Sequence, residues 1–180
     1  AHEDTAFAAL LNARGVGLLA AGENFSTTVT FPTQQGYLPY VGEEQQNTYE
    51  LNVTAISADM TVNVVYKPTN VNYTVIHYWQ NVDNDQYVEH DRETRQGLTG
   101  TKVPDVKKTY EGFYALVYEQ PAIAAAGNTV IEVYYDRNYY LMNFELDGGY
   151  GVEPIYARYG APVSIGTPTR PGYNFKGWNK

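Results

Sequence analysis

PTQQGY at residues 32–37 and PTRPGY at residues 168–173 are one turn written twice, and a shorter relative, YEGF at 110–113, stands between them. A second element recurs as well: Val62-x-Val64-x-Tyr66 returns as Ile131-x-Val133-x-Tyr135. Each copy is followed by a tyrosine-rich run, YTVIHY at 73–78 and YYLMNF at 139–144. Two unrelated elements sharing a period of roughly 68 residues predict a tandem array of small domains. Repetition of this kind builds length or valency more readily than it builds an active site.

Composition narrows the class. Units of this size bury only about 60% of their unfolded surface, so each is marginal alone. The chain has no cysteine, so disulfides supply none of the missing stability. It carries 18 tyrosines, two tryptophans and six phenylalanines. Aromatic rings favour strands and bury large areas, which predicts β-rich units packed through broad side chains. The formal charge is −8, with 20 acids against 12 bases. An acidic surface is repelled by phosphate backbones and anionic lipid, so nucleic acid and membranes are poor partners. No apolar stretch reaches the roughly 18 residues of a membrane span.

Residues 2–13 have high helix propensity, acids in the first turn and Phe7, Leu10 and Leu11 on one face, which predicts a helix stopped by Gly15 and Gly17. From Phe25 the signals are those of strands: STTVTF at 26–31, a turn at 34–37, and a strand-like region to Tyr66. KPTN at 67–70 is the one short linker, implying modules that touch. The boundaries that follow are 1–69, 70–136 and 137–180. In the second module, runs 73–81 and 87–95 flank the polar turn VDNDQ at 82–86. A hairpin centred on Asn84 places Ile76, Tyr78 and Val88 on a core face. It places Val75, His77, Trp79, Glu89, Asp91 and Glu93 on a solvent face. A helical turn is expected at 104–108. The third module has fewer residues after its glycine–aromatic turn than the second has, so it is expected to lack a closing strand and to carry an unpaired, adhesive sheet edge.

FELDGG at 144–149 with PTRPGYNFKGW at 168–178 strongly resembles the Listeria–Bacteroides repeat, also called the internalin-type B repeat. Residues 62–137, with the V-x-Y end strand, YTVIHYWQNVDNDQYV, LTGT and YEGF, are similar to mucin-binding-protein-like modules of Gram-positive surface proteins. The resemblance implies a mostly β (α+β) chain of tandem β-grasp, ubiquitin-like modules, the last one truncated, in a secreted, wall-attached protein. It implies a non-enzymatic stalk that also adheres to host glycoprotein or glycan, with neighbouring repeats as its other partners. No L-P-x-T-G sorting motif is present. The alternative reading is a carbohydrate-binding accessory region of a secreted glycosidase.

Sites of chemistry are few. Glu89, Asp91 and Glu93 have the spacing of paired carboxylates, but on a flat strand face rather than across a cleft. Asp83 and Asp85 are weak calcium candidates, because Val88 and Thr94 stand where an EF-hand needs glycine and glutamate. His77, placed opposite Asp91, forms a surface pair rather than a zinc site. No serine lies in G-x-S-x-G, and no P-loop or dinucleotide fingerprint occurs, so neither catalytic residues nor a cofactor are expected. Trp79, outward beside His77, Asp91 and Tyr87, is the residue suited to stacking on a sugar ring. The competing expectation is that Trp79 packs on Tyr87 or on a neighbouring module.

Overall fold

A computed structural model describes Gly22 and residues 24–55 and 61–179. Among these residues the chain forms eleven strands and no helix, so this part is all-β. The helix expected at 2–13 lies outside the described residues.

Strand β1 (Phe25–Thr30) pairs antiparallel with β4 (Thr48–Val53), placing Val29 opposite Tyr49 and Thr27 opposite Leu51. The β-branched alternation of β1 puts Val29 inward, where it is buried with Phe31 and Leu51. Strand β2 (Tyr37–Val41) lies between the short β3 (Glu44–Gln45) and β5 (Val65–Pro68). Among the described residues the strand-like region expected up to Tyr66 is several pieces, Gly42 turning the chain between β2 and β3 with a φ of 61°.

The largest sheet has four strands in the order β7-β6-β9-β8: Tyr87–Leu98, Asn70–Gln80, Thr129–Arg137 and Phe113–Ala115. The first and last strands in sequence, β6 and β9, occupy the centre. Tyr78 stacks on Tyr134, and Arg137 donates to the Gln80 side chain and carbonyl, so contacts advance together along both strands. That is the march of a parallel pair. Strands β10 (Tyr139–Met142) and β11 (Ile155–Arg158) form a separate antiparallel pair.

The chain divides into two compact units, which interleave in sequence. One holds residues to Tyr73 with Thr94–Val103 and Pro121–Thr129; the other holds Thr74–Glu93, Pro104–Gln120 and residues from Val130. In the first, Ile123 and Tyr73 close over Gly97; a Cβ on Gly97 would lie 2.3 Å from Ile123 Cδ1. In the second, Val75, His77, Val106, Val133 and Tyr135 are almost fully buried.

This burial corrects the sheet faces. Val75 and His77 are fully buried and Trp79 half-buried, while Val88 is exposed. The face expected to meet solvent is the deeper core. Apolar residues occupy both faces of β6, and the acids of β7 tipped the balance towards the wrong one. Asp91 and Glu93 are instead held half-buried by Lys108 and His77.

The helical turn expected at 104–108 does not form. The Asp105 carboxylate accepts the backbone N–H of Lys107 (3.1 Å) and the Tyr118 hydroxyl, while Val106 N–H donates to Tyr118 Oη (2.8 Å). A side chain that captures its neighbour's N–H offers the backbone an alternative to the helix. The Tyr118 contact, then Lys107, holds the Asp105 carboxyl down at about 2.

The chain reverses tightly at Asp147 and Gly148. Gly149 N–H bonds Leu146 O (2.8 Å) across Asp147 and Gly148, with φ of 48° and 79°. Two consecutive left-handed residues are the signature of a type I′ turn.

Candidate functional site: a recurring joint

Three β-turns share one geometry. The N–H of Tyr37, Phe113 and Tyr173 each bonds the carbonyl three residues back, at Gln34 (3.1 Å), Tyr110 (3.2 Å) and Arg170 (3.1 Å). The third residue is Gly36, Gly112 or Gly172, with φ of 75°, 77° and 80°. Left-handed φ at the third position is what a type II turn reserves for glycine.

Two of these glycines receive the same contact. Gly36 O accepts the N–H of Thr69 (2.9 Å), and Gly112 O accepts the N–H of Asn138 (2.8 Å). Thr69 is the single residue between β5 and β6, and Asn138 the single residue between β9 and β10. The strand pairing beside each joint also matches: Tyr37 faces Pro68, and Phe113 faces Arg137.

The carbonyls of the joint residues are held too. Thr69 O accepts the N–H of Thr99 (3.0 Å) and Asn138 O that of Tyr159 (2.8 Å), the residues directly following β7 and β11. Thr101 N–H then bonds Leu98 O, as Ala161 N–H bonds Arg158 O, around Gly100 and Gly160 at φ of 79° and 78°. Each one-residue connection is therefore clamped on both its donor and its acceptor.

Packing over the glycines completes the clamp. A Cβ built on Gly36 would lie 2.8 Å from Ala125, and one on Gly112 2.2 Å from the Tyr159 ring. Nothing lies within 4 Å of the corresponding point on Gly172. Around Asn138 the joint is reinforced by Arg137, whose guanidinium lies 4.7 Å from the Phe113 ring and donates to Tyr159 O (2.9 Å). Arg158 donates to Asn84 O (2.6 Å) and pairs with Asp85.

The residues expected to bind ligand lie elsewhere. Trp79 packs between His90 and Phe113 with Tyr110 edge-on, so its ring faces are covered. This is the packed outcome, with different partners from the expected Tyr87.

His77 is fully buried rather than on a surface, and its partner is Glu93 rather than Asp91. Tyr135 Oη accepts the N–H of Lys108 (2.8 Å) and so turns its own proton to His77 Nδ1 (3.0 Å). The imidazole proton then sits on Nε2 and faces Glu93 Oε1 (3.3 Å). Burial pushes the imidazole below its usual value, which Glu93 only partly offsets. Asp91 is taken by Lys108 (2.5 Å), which holds its carboxyl below the usual range. Trp79 Nε1 and Tyr110 Oη, beside this network, are buried without a hydrogen-bond partner.

Tyr87 belongs to the opposite side of the sheet. Its hydroxyl donates to Asp136 (2.5 Å), and that bond, with burial, holds the phenol up to about 12. Tyr114 donates to the other oxygen of Asp136 (3.1 Å), and Tyr78 and Tyr134 both donate to Glu132 (3.3 and 3.2 Å). Two carboxylates thus each accept two phenols on one outward face. The signal was the alternation Glu132-x-Tyr134-x-Asp136 along β9, overlooked because Ile131, Val133 and Tyr135 between them drew the reading inward.

Of the weak calcium candidates, Asp85 is neutralised by Arg158 and Asp83 accepts the Asn84 amide (3.0 Å). Among the described residues no group of three His, Cys, Asp or Glu side chains gathers to hold a metal. Compared with models of protein families, with curated proteins and with solved structures, the chain has no match.

Proposed function

We propose that this chain is a non-enzymatic segment of an extracellular bacterial surface protein, a stalk of tandem β-grasp modules whose joints are stiffened by hydrogen bonding. The observation that carries this reading is the clamp repeated at Thr69 and Asn138. A one-residue connection bonded on both sides has no slack, and modules so joined transmit position along the chain. The sheet β7-β6-β9-β8, with its first and last strands parallel at the centre, supports the β-grasp assignment. The surface location rests on the resemblance of the 168–178 string.

The absence of cysteine makes the test simple. Spin labels on cysteines introduced at the exposed Glu89 and Glu153 flank the Asn138 joint. The stalk reading predicts a narrow distance distribution by pulsed electron resonance, broadened in Gly112→Ser. A broad distribution in the parent chain would refute it.

A second reading, adhesion to glycans, is favoured by the tyrosine–carboxylate face of β6, β7, β8 and β9. Phenol rings offer apolar contact to sugars and carboxylates accept their hydroxyls. Mucin and a glycan array probe it: Tyr114→Ala, at a residue 51% exposed, should weaken capture. Trp79→Ala should act only through stability. Absence of capture by the parent chain would remove this reading and leave the stalk.

A further inference from the structure

The third repeat carries an apolar surface without a core. No residue from 138 to 179 is buried. Yet Tyr139, Tyr140, Leu141 and Met142 are 40 to 58% exposed, and Tyr150, Tyr156, Tyr173, Phe175 and Trp178 are exposed as well. Strand β10 pairs with β11 on one side, and no described strand pairs with it on the other. Its sequence Tyr-Tyr-Leu-Met has no charge, proline or bulge, the devices that protect an edge from a further strand.

The chain also shows what belongs there. Strand β10 follows Asn138 as β6 follows Thr69, and β11 ends at the Tyr159–Gly160 turn as β7 ends at Thr99–Gly100. Gly160 and Gly172 are spaced as Gly100 and Gly112 are. In the second repeat, β6 has β9 on its far side, β9 is flanked by β8 from Phe113 onward, and the residue after β9 docks on Gly112 O. The corresponding places in the third repeat are the β10 edge, the segment from Tyr173, and the open flank of Gly172.

We propose that these three features form a docking site for one extended strand of alternating β-branched and aromatic residues, of the composition of Thr129–Arg137. The strand inserts parallel to β10 between it and the segment from Tyr173, and the N–H of its next residue bonds Gly172 O. Backbone pairing supplies affinity, and the alternate side chains cover the exposed face of β10, as in strand addition generally. The inference rests on the tandem-repeat reading, but its test does not depend on joint stiffness.

The probe is a capped synthetic peptide of residues 129–138, TVIEVYYDRN, added to the intact chain. The expected result is saturable binding, with amide exchange slowed at 139–142 and at 173–175 together. Removing the final Asn lowers affinity several-fold. N-methylation on one set of alternate residues abolishes binding, while the other set, facing the Tyr173 segment, only weakens it. A scrambled peptide does not bind. No binding, protection confined to β7 or β8, or self-association of the chain through β10 in place of peptide capture would each overturn the proposal. A failure here with a narrow label distance leaves the stalk standing; a broad distance with peptide binding leaves the docking site.

Discussion

At the scale of single residues, the three turn glycines give a controlled comparison. They share a left-handed φ, so alanine at any of them meets the same backbone penalty, about 1–2 kcal/mol. They differ in what lies beyond. Gly112→Ala must also displace the Tyr159 ring 2.2 Å away, whereas Gly172→Ala meets open space. Denaturant titration should show Gly112→Ala the more destabilising, by roughly a further 1–3 kcal/mol as an overpacked contact. His77 makes a second residue-scale case. Its folded pKa lies below the ordinary 6.5, so the unfolded chain binds the proton first. Stability is therefore complete above pH 6.5 and falls as pH drops from there towards the folded value. Urea midpoints at about pH 7.5 and pH 5 should differ in that direction, and His77→Gln should flatten the difference.

At the scale of elements, β9 is the strand on which the second repeat turns. Tyr135 bridges His77 Nδ1 on β6 and the Lys108 N–H in the connection, so Tyr135→Phe leaves a buried imidazole nitrogen and a half-buried N–H unpaired. The expected loss is about 1–3 kcal/mol. Tyr110, 4.9 Å away ring to ring, has a buried hydroxyl with no partner. Tyr110→Phe should be neutral or stabilising by up to about 1 kcal/mol, and the opposite signs of the two changes are checked by thermal unfolding. Sequence reading reached the elements better than the faces. The β1 strand, the 82–86 turn and the Tyr135 end strand follow from alternation and turn chemistry. The inward face of β6 did not, because both its faces carry apolar residues and the charges that looked solvated are paired beneath the connection. Trp79 was misplaced for the same reason, and the phenol–carboxylate pairs went unseen because they form only when four strands align.

At the scale of the whole molecule, the repeat was legible as words, and the structure adds that these words meet each other. The glycine of one turn holds the residue that begins the next repeat, and that residue holds the turn after its second strand. Neither bond is visible in a sequence, since the two span 33 and 30 residues at Thr69 and 26 and 21 residues at Asn138. At both joints the contacts that hold the connecting residue run between backbone atoms. The most direct measurement is amide hydrogen exchange at Thr69 and Asn138 under native conditions. The account predicts exchange at both as slow as in the strands beside them, and acceleration at Asn138 alone in Gly112→Ala. Exchange at both joints as fast as in an exposed loop, with β6 and β9 still protected, would contradict it.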